Sequence, residues 1–179
     1  MNRFKRILLL GGTGFVGQSV CESLVAQGNG AGSRITVPTR RLSHAKTVQF
    51  LPTVDPVEVD VHDDTQLARL LAGHDAVVNL IAILHGSAAA FDRVHVQLPA
   101  RLAAACAMAG VKRMVHVSAL GVSDDAPSHY LRSKAAGEAA LQAASLDLTV
   151  LRPSVIFGAH DRFLNLFASM QSVLPVVPL

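Results

Sequence analysis

The sequence predicts a doubly wound α/β fold, a parallel sheet covered by helices on both faces, and three observations predict it. Apolar runs of strand length alternate with segments of helical spacing along almost the whole chain. The apolar runs are continuous, as expected of strands buried on both faces, and parallel strands need crossover connections of the kind the intervening segments supply. Half of the 179 residues are hydrophobic and only 16% are charged, which excludes disorder and suits a fold with two buried sheet faces. At this length one domain with a substantial core is expected, read here as spanning 1–179.

The first strand, 6–10, is RILLL and runs into the glycines of GGTGFVG, after which 14–27 has helical spacing. The Gly/Ser-rich stretch 28–33 reads as a loop into the second strand, 34–38, which stops at Thr39-Arg40-Arg41. A third strand is expected over 57–61 and a helix over 65–71, with Asp63 and Asp64 placed to cap it. The fourth strand, 76–83, leads to a long Ala- and Leu-rich helix over 92–109. The fifth strand, 113–118, ends in Ser118 and is followed by a helix over 130–144, a sixth strand over 148–151 and a helix over 163–173. The terminal VLPVVPL is apolar with two prolines, which discourage a helix; it reads as a chain cut short, or alternatively as a strand at a sheet edge.

A formal charge of +3, no Trp and a single Tyr leave neither a basic face nor stacking platforms for nucleic acid. Cys21 and Cys106 lie in helical segments with no metal-ligand spacing, so buried free thiols in a cytoplasmic protein are expected, and no metal. MNRFKRILLL has the basic-then-apolar order of a signal peptide, but the run passes directly into GGTGFVG, a strand-to-loop transition rather than a cleavage site. No apolar stretch reaches the roughly 20 residues of a membrane helix, so no transmembrane segment is expected and any membrane association is peripheral.

Gly11, Gly14 and Gly17 recur at three-residue intervals between a buried-type strand and a helix. Gly11 suits a tight turn, Gly14 a close backbone approach to a pyrophosphate, and Gly17 close packing of the helix on the sheet; the helix N-terminus then offers free N–H groups to the phosphates. This is the dinucleotide-binding, or Rossmann, arrangement. The second strand ends without the acid that would hold a ribose 2′-hydroxyl; Arg40 and Arg41 stand there instead, suited to a 2′-phosphate, so NADP(H) is favoured and NAD(H) is the alternative. A solvated basic loop is the bland reading of the same pair. Asp60, at the end of the third strand, is placed either to meet the adenine amino group or to cap the approach to the next helix.

Tyr130 and Lys134 are four residues apart on one helix face, and Ser118 ends a strand at the same carboxyl edge as the glycine turn. A lysine ammonium beside a phenol lowers the phenol's pKa and makes Tyr a usable proton donor to a carbonyl, which a serine hydroxyl can orient.

Taken together, GGTGFVG, VDVHD, VVNLIAILHG, VKRMVHVSALG, YLRSK and LRPSVIFG resemble the extended and atypical short-chain dehydrogenase/reductase family over essentially the whole chain. HVSALG, YLRSKAAGE and LRPSVIFGAHDRFLN are similar, more narrowly, to the subgroup around the NADPH-binding accessory subunit of respiratory complex I. The resemblance implies cofactor contacts from Gly11, Thr13, Gly14, Phe15, Val16 and Gly17, from Arg40 and Arg41, from Asp60 and Val61, from Leu80, Ile81 and Ala82, and from Lys134, Pro153 and Ser154. It implies Ser118, Tyr130 and Lys134 as the catalytic residues. His95 stands where family members often have Asn, which departs from the usual proton relay. Family members also continue beyond LRPSVIFG into a further strand and a C-terminal substrate region, which the resemblance implies is absent here.

Two functions are expected on this basis. One is an NADP(H)-dependent oxidoreductase, or a related epimerase or dehydratase, acting on an unidentified small molecule. The other is a non-catalytic NADPH-binding accessory protein with a respiratory-complex or quinone-linked partner, placed peripherally at the inner membrane.

Overall fold

In the computed structural model, residues 4–28 and 32–158 are described. The helix expected over 163–173 and the terminal VLPVVPL lie outside them. The described chain forms one six-stranded parallel sheet in the order β3-β2-β1-β4-β5-β6. The strands are β1 (Arg6–Leu10), β2 (Arg34–Thr39), β3 (Val54–Glu58), β4 (Ala76–Asn79), β5 (Arg113–Val117) and β6 (Asp147–Leu151). The helices are α1 (Phe15–Gln27), α2 (Asp64–Leu71), α3 (Ala88–Phe91), α4 (Leu98–Ala109) and α5 (His129–Gln142). The order reverses between β1 and β4, which opens a crevice at the carboxyl edge where open α/β sheets bind ligands.

Side chains alternate across the sheet, so β1 feeds two cores. Leu8 and Leu10 pack with Leu67, Leu102, Met114 and Leu141 beneath α2, α4 and α5. Leu9 points the other way, onto Cys21 of α1 and onto Ile35, Val37 and Val48. Both cysteines are buried free thiols, and burial pushes each up to about 11.

Three elements differ from the sequence expectation. β3 starts at Val54 and ends at Glu58, several residues earlier than expected, because Pro56 sits inside it opposite Val37. Proline is tolerated there because β3 is an edge strand with one side unpaired. Asp60 and Val61 therefore lie in the loop after the strand. β4 stops at Asn79, where its pairing with Leu10 and His116 ends, so Leu80–Ala82 form an extended ledge beyond the sheet rather than strand.

The helix expected over 92–109 begins at Ala88, capped by the Ser87 hydroxyl, and is π-wound over Asp92–Gln97 before α4. Pro99 has no N–H to return to the carbonyl of His95, four residues earlier, and the helix widens just before it. A short 3₁₀ turn, Leu42–Ala45, was not anticipated.

Candidate functional site

The glycine turn is built as the spacing requires. Gly11 adopts φ +79°, with Leu80 and Ile81 backbone so close that a Cβ would sit 3.2 Å from them. A Cβ on Gly17 would lie 2.3 Å from the Gly11 carbonyl oxygen, so α1 can press onto the turn only with glycine there. Gly14 is the N-cap of α1 and donates its own N–H to the Gly11 carbonyl at 3.0 Å. No side chain caps the helix and its first turn carries no acid, which leaves its N–H groups and positive dipole end available to an anion.

Two cavities flank this turn along the carboxyl edge. The first, about 240 Å³, is lined by Gly11, Thr13, Thr39, Arg40, Val61 and Ile81 among others. It lies between the ends of β2 and β3 and the ledge. An adjoining hollow is shared by Arg40, Asp60, His62 and, from the π-wound segment, Arg93. Arg93 carried no sequence signal; only the chain's path across the sheet edge brings it opposite Arg40. His62 is pushed down by burial and next by the Arg93 cation, with Asp60 opposing and Arg101 and Arg40 adding to the depression.

Arg41 is placed differently. It is exposed and extended, its carbonyl accepts from the Thr39 hydroxyl (3.0 Å) and from His44 N–H, and it is not among the residues lining either cavity. Asp60 accepts the His62 N–H at 2.9 Å, while the cap of α2 is Asp63, whose carboxylate accepts Gln66 N–H at 2.8 Å.

The second cavity, about 390 Å³, is lined on one side by Phe15, Val16, Leu80 and Ala82 and on the other by Ser118, Tyr130, Lys134, Pro153 and Ser154. All three expected catalytic side chains thus face one apolar-walled space next to the glycine turn. Below it lies a buried polar layer. Asn79 bonds the His116 ring at 3.2 Å and accepts Ile81 N–H at 3.1 Å, which turns the ledge toward the cavity. Lys134 is almost fully buried and donates to the Val117 carbonyl at 2.7 Å. Burial pulls its pKa down to about 8, with Glu138 opposing.

The Ser118 hydroxyl is buried and close enough to the Glu138 carboxylate to help hold it ionised, yet without hydrogen-bond geometry to any partner among the described residues. Ser118 nonetheless lines the cavity beside Tyr130 and Lys134. The expectation for Tyr130 is corrected in one respect. Burial raises its phenol pKa, and the lysine, turned to the Val117 carbonyl, does not lower it in this geometry.

A larger apolar hollow, about 710 Å³, lies over the sheet face beside α1, lined by Val20, Val78, Val115 and Leu151. It offers no acid or nucleophile. The chemistry-bearing groups converge instead on the carboxyl edge.

Comparison with known proteins supports a dinucleotide-binding fold. An NAD(P)H-binding family matches residues 11–161. The chain belongs to that family. It has the extended short-chain dehydrogenase/reductase character of that family and is similar in sequence to mitochondrial NADH dehydrogenase subunits. It is 34% identical to the mitochondrial NADH dehydrogenase [ubiquinone] 1 alpha subcomplex subunit 9 of Mus musculus, over 94% of this chain and 45% of that protein. It is 32% identical to a ceramide reductase of Caulobacter vibrioides, over 96% of this chain and 53% of the relative. The dTDP-glucose 4,6-dehydratase DesIV of Streptomyces venezuelae, solved with NAD and DAU bound, has the same fold with a TM-score of 0.76 and 26% identity, over 93% of this chain and 62% of that one. The chain thus spans about half the length of the curated relatives it matches.

Proposed function

We propose that this chain holds NADP(H) along the carboxyl edge and serves a reductase in which Tyr130 donates a proton to a substrate carbonyl. The observation that carries the reading is the shared cavity of Ser118, Tyr130 and Lys134 beside an uncapped, acid-free helix N-terminus. The residues fit the group. Gly11 and Gly17 leave no room for side chains where a pyrophosphate must approach, and Ser118 lines the cavity in which a carbonyl oxygen would lie.

When bound, NADPH supplies the hydride. The chain's residues do the rest. Gly11 to Gly17 and the N-terminus of α1 hold the pyrophosphate, and Arg40 reaches the adenosine side, where Arg93 adds a second positive charge. Leu80, Ala82, Pro153 and Ser154 wall the reacting end and exclude water, while Ile81 lines the Arg40 side. Ser118 orients the carbonyl, and Tyr130 delivers the proton from its phenol oxygen. The Lys134 ammonium, on the same face of α5 as Tyr130, stabilises the phenolate left behind.

The similarity to a respiratory-chain subunit favours a second reading, in which the same groove retains NADPH structurally and the protein serves a respiratory assembly at the inner membrane. Titration with NADPH and NADH, each alone and with Arg40→Ala or Arg41→Ala, tests the cofactor assignment. Tighter NADPH binding, lost mainly with Arg40→Ala, supports it; equal affinities unchanged by either substitution overturn it. Nucleotide that co-purifies and never turns over with a carbonyl panel supports the accessory role.

A further inference from the structure

We infer that His95 is a positioning residue, a buried strut that ties the cofactor ledge to the turn of α5 carrying Tyr130. The inference rests on the reading of Tyr130 as the proton donor. The ring of His95 is 2% exposed. Its Nε2 accepts the N–H of Ile83 at 3.1 Å, and its Nδ1 lies 2.9 Å from the Ser133 hydroxyl oxygen. Ser133 spends its own proton on the Tyr130 carbonyl at 2.8 Å. Ser133 must therefore accept from His95, which places the ring proton on Nδ1 and leaves the ring neutral. The ring also stands edge-on to the Tyr130 ring, with centroids 5.4 Å apart.

Three elements are joined through this one side chain: the ledge after β4, the π-wound segment and α5. The contact is possible because of Gly137, one helical turn after Ser133 on the same face of α5, where a Cβ would fall 1.9 Å from the His95 carbonyl oxygen. Glycine at 137 brings the two backbones together, and Ser133 then meets the ring. Both ring nitrogens are committed, so His95 has no free donor or acceptor for passing protons. It does not replace an Asn proton relay; it holds the phenol's helix at a set distance from the ledge on which the cofactor would rest.

The chain itself provides the reporter. Tyr130 is its only tyrosine and there is no tryptophan, so tyrosinate absorbance and tyrosine fluorescence read this residue alone. His95→Phe keeps a ring but removes both hydrogen bonds; Ser133→Ala cuts the link from His95 to α5 together with the serine's own bond to the Tyr130 carbonyl; His95→Gln offers one acceptor and one donor. In His95→Phe and Ser133→Ala the phenol titration midpoint should move by about half a pH unit or more, and His95→Gln should restore most of that shift. With any carbonyl the parent chain reduces, kcat in Ser133→Ala should fall on the order of tenfold or more while KM for NADPH stays within about threefold.

A folded Ser133→Ala and a folded His95→Phe whose Tyr130 titrates and fluoresces like the parent would overturn the strut. Should His95→Phe fail to fold, His95→Leu, which leaves the bond from Ser133 to the Tyr130 carbonyl in place, takes its part in the comparison. A parent chain that reduces no carbonyl in a broad panel counts against Tyr130 as the proton donor, and the optical comparison still decides the strut separately.

Discussion

Arg152 grips Glu138 with two nitrogens: Nη2 lies 2.5 Å from Oε2, and Nε reaches both carboxylate oxygens at 3.1 and 3.2 Å. The carboxylate is buried while the guanidinium stays half exposed. The pair therefore fastens α5 to the residue just before Pro153, and so fixes one wall of the cavity against the helix that carries Tyr130 and Lys134.

Removing the carboxylate's charge should test that clasp. Glu138→Gln should lower unfolding stability by about 2 kcal/mol, a value below that of a wholly buried pair because Arg152 is open to water. Urea denaturation at neutral pH checks it. Burial pushes the Glu138 carboxyl up, but hydrogen bonds from Arg152 and Ser118, together with the charges of Arg152 and His116, outweigh it and hold the net pKa below its ordinary 4.5. A carboxyl depressed in the folded state contributes stability above its unfolded pKa and loses it as pH falls through the lower folded value. The parent should therefore lose stability below about pH 4.5 more steeply than Glu138→Gln.

Acidification has a second, earlier effect. Burial, and next the Lys134 cation, pull His95 and His116 from 6.5 down to about 4. Below 6.5 the unfolded chain gains protons that the folded chain does not, so stability should fall between about pH 6.5 and 4, with a Tm drop of at least about 3 °C by scanning calorimetry. A flat Tm over that window would contradict neutral, committed rings.

Gly137→Ala should be among the most damaging methyl additions in the chain, because the new Cβ meets backbone rather than a movable side chain. A loss of about 3 kcal/mol or more, or failure to fold, is expected by denaturant titration. Alanine at Gly110, where a Cβ would meet nothing within 4 Å, should cost about 1 kcal/mol through its left-handed backbone alone.

Tyr130→Phe should leave NADPH affinity within about threefold while reducing turnover with a carbonyl substrate on the order of 10²-fold or more. Stopped-flow NADPH oxidation distinguishes the two quantities. Loss of affinity without loss of rate would assign the phenol to binding instead.

The sheet, its crevice and the glycine turn were legible because their signals are local. Continuous apolar runs mark buried strands, and a strand, three spaced glycines and a helix mark a phosphate turn whatever lies elsewhere. Tyr130 and Lys134 were legible as a pair because four residues on a helix share a face. Pro56 obscured the start of β3, since proline reads as a breaker unless the strand is known to be an edge.

By itself, then, the sequence determined the fold class, the turn at Gly11 to Gly17 and the pairing of Tyr130 with Lys134 on one helix face, all of which follow from short-range pattern. Only the tertiary structure decided what each does beside its neighbours. It set Arg93 opposite Arg40 while leaving Arg41 outside, turned Lys134 to the Val117 carbonyl, and locked His95 between Ile83 and Ser133. These relationships depend on how close separate elements come, and that distance is set by packing, as at Gly137, where the lack of one methyl group lets two backbones touch.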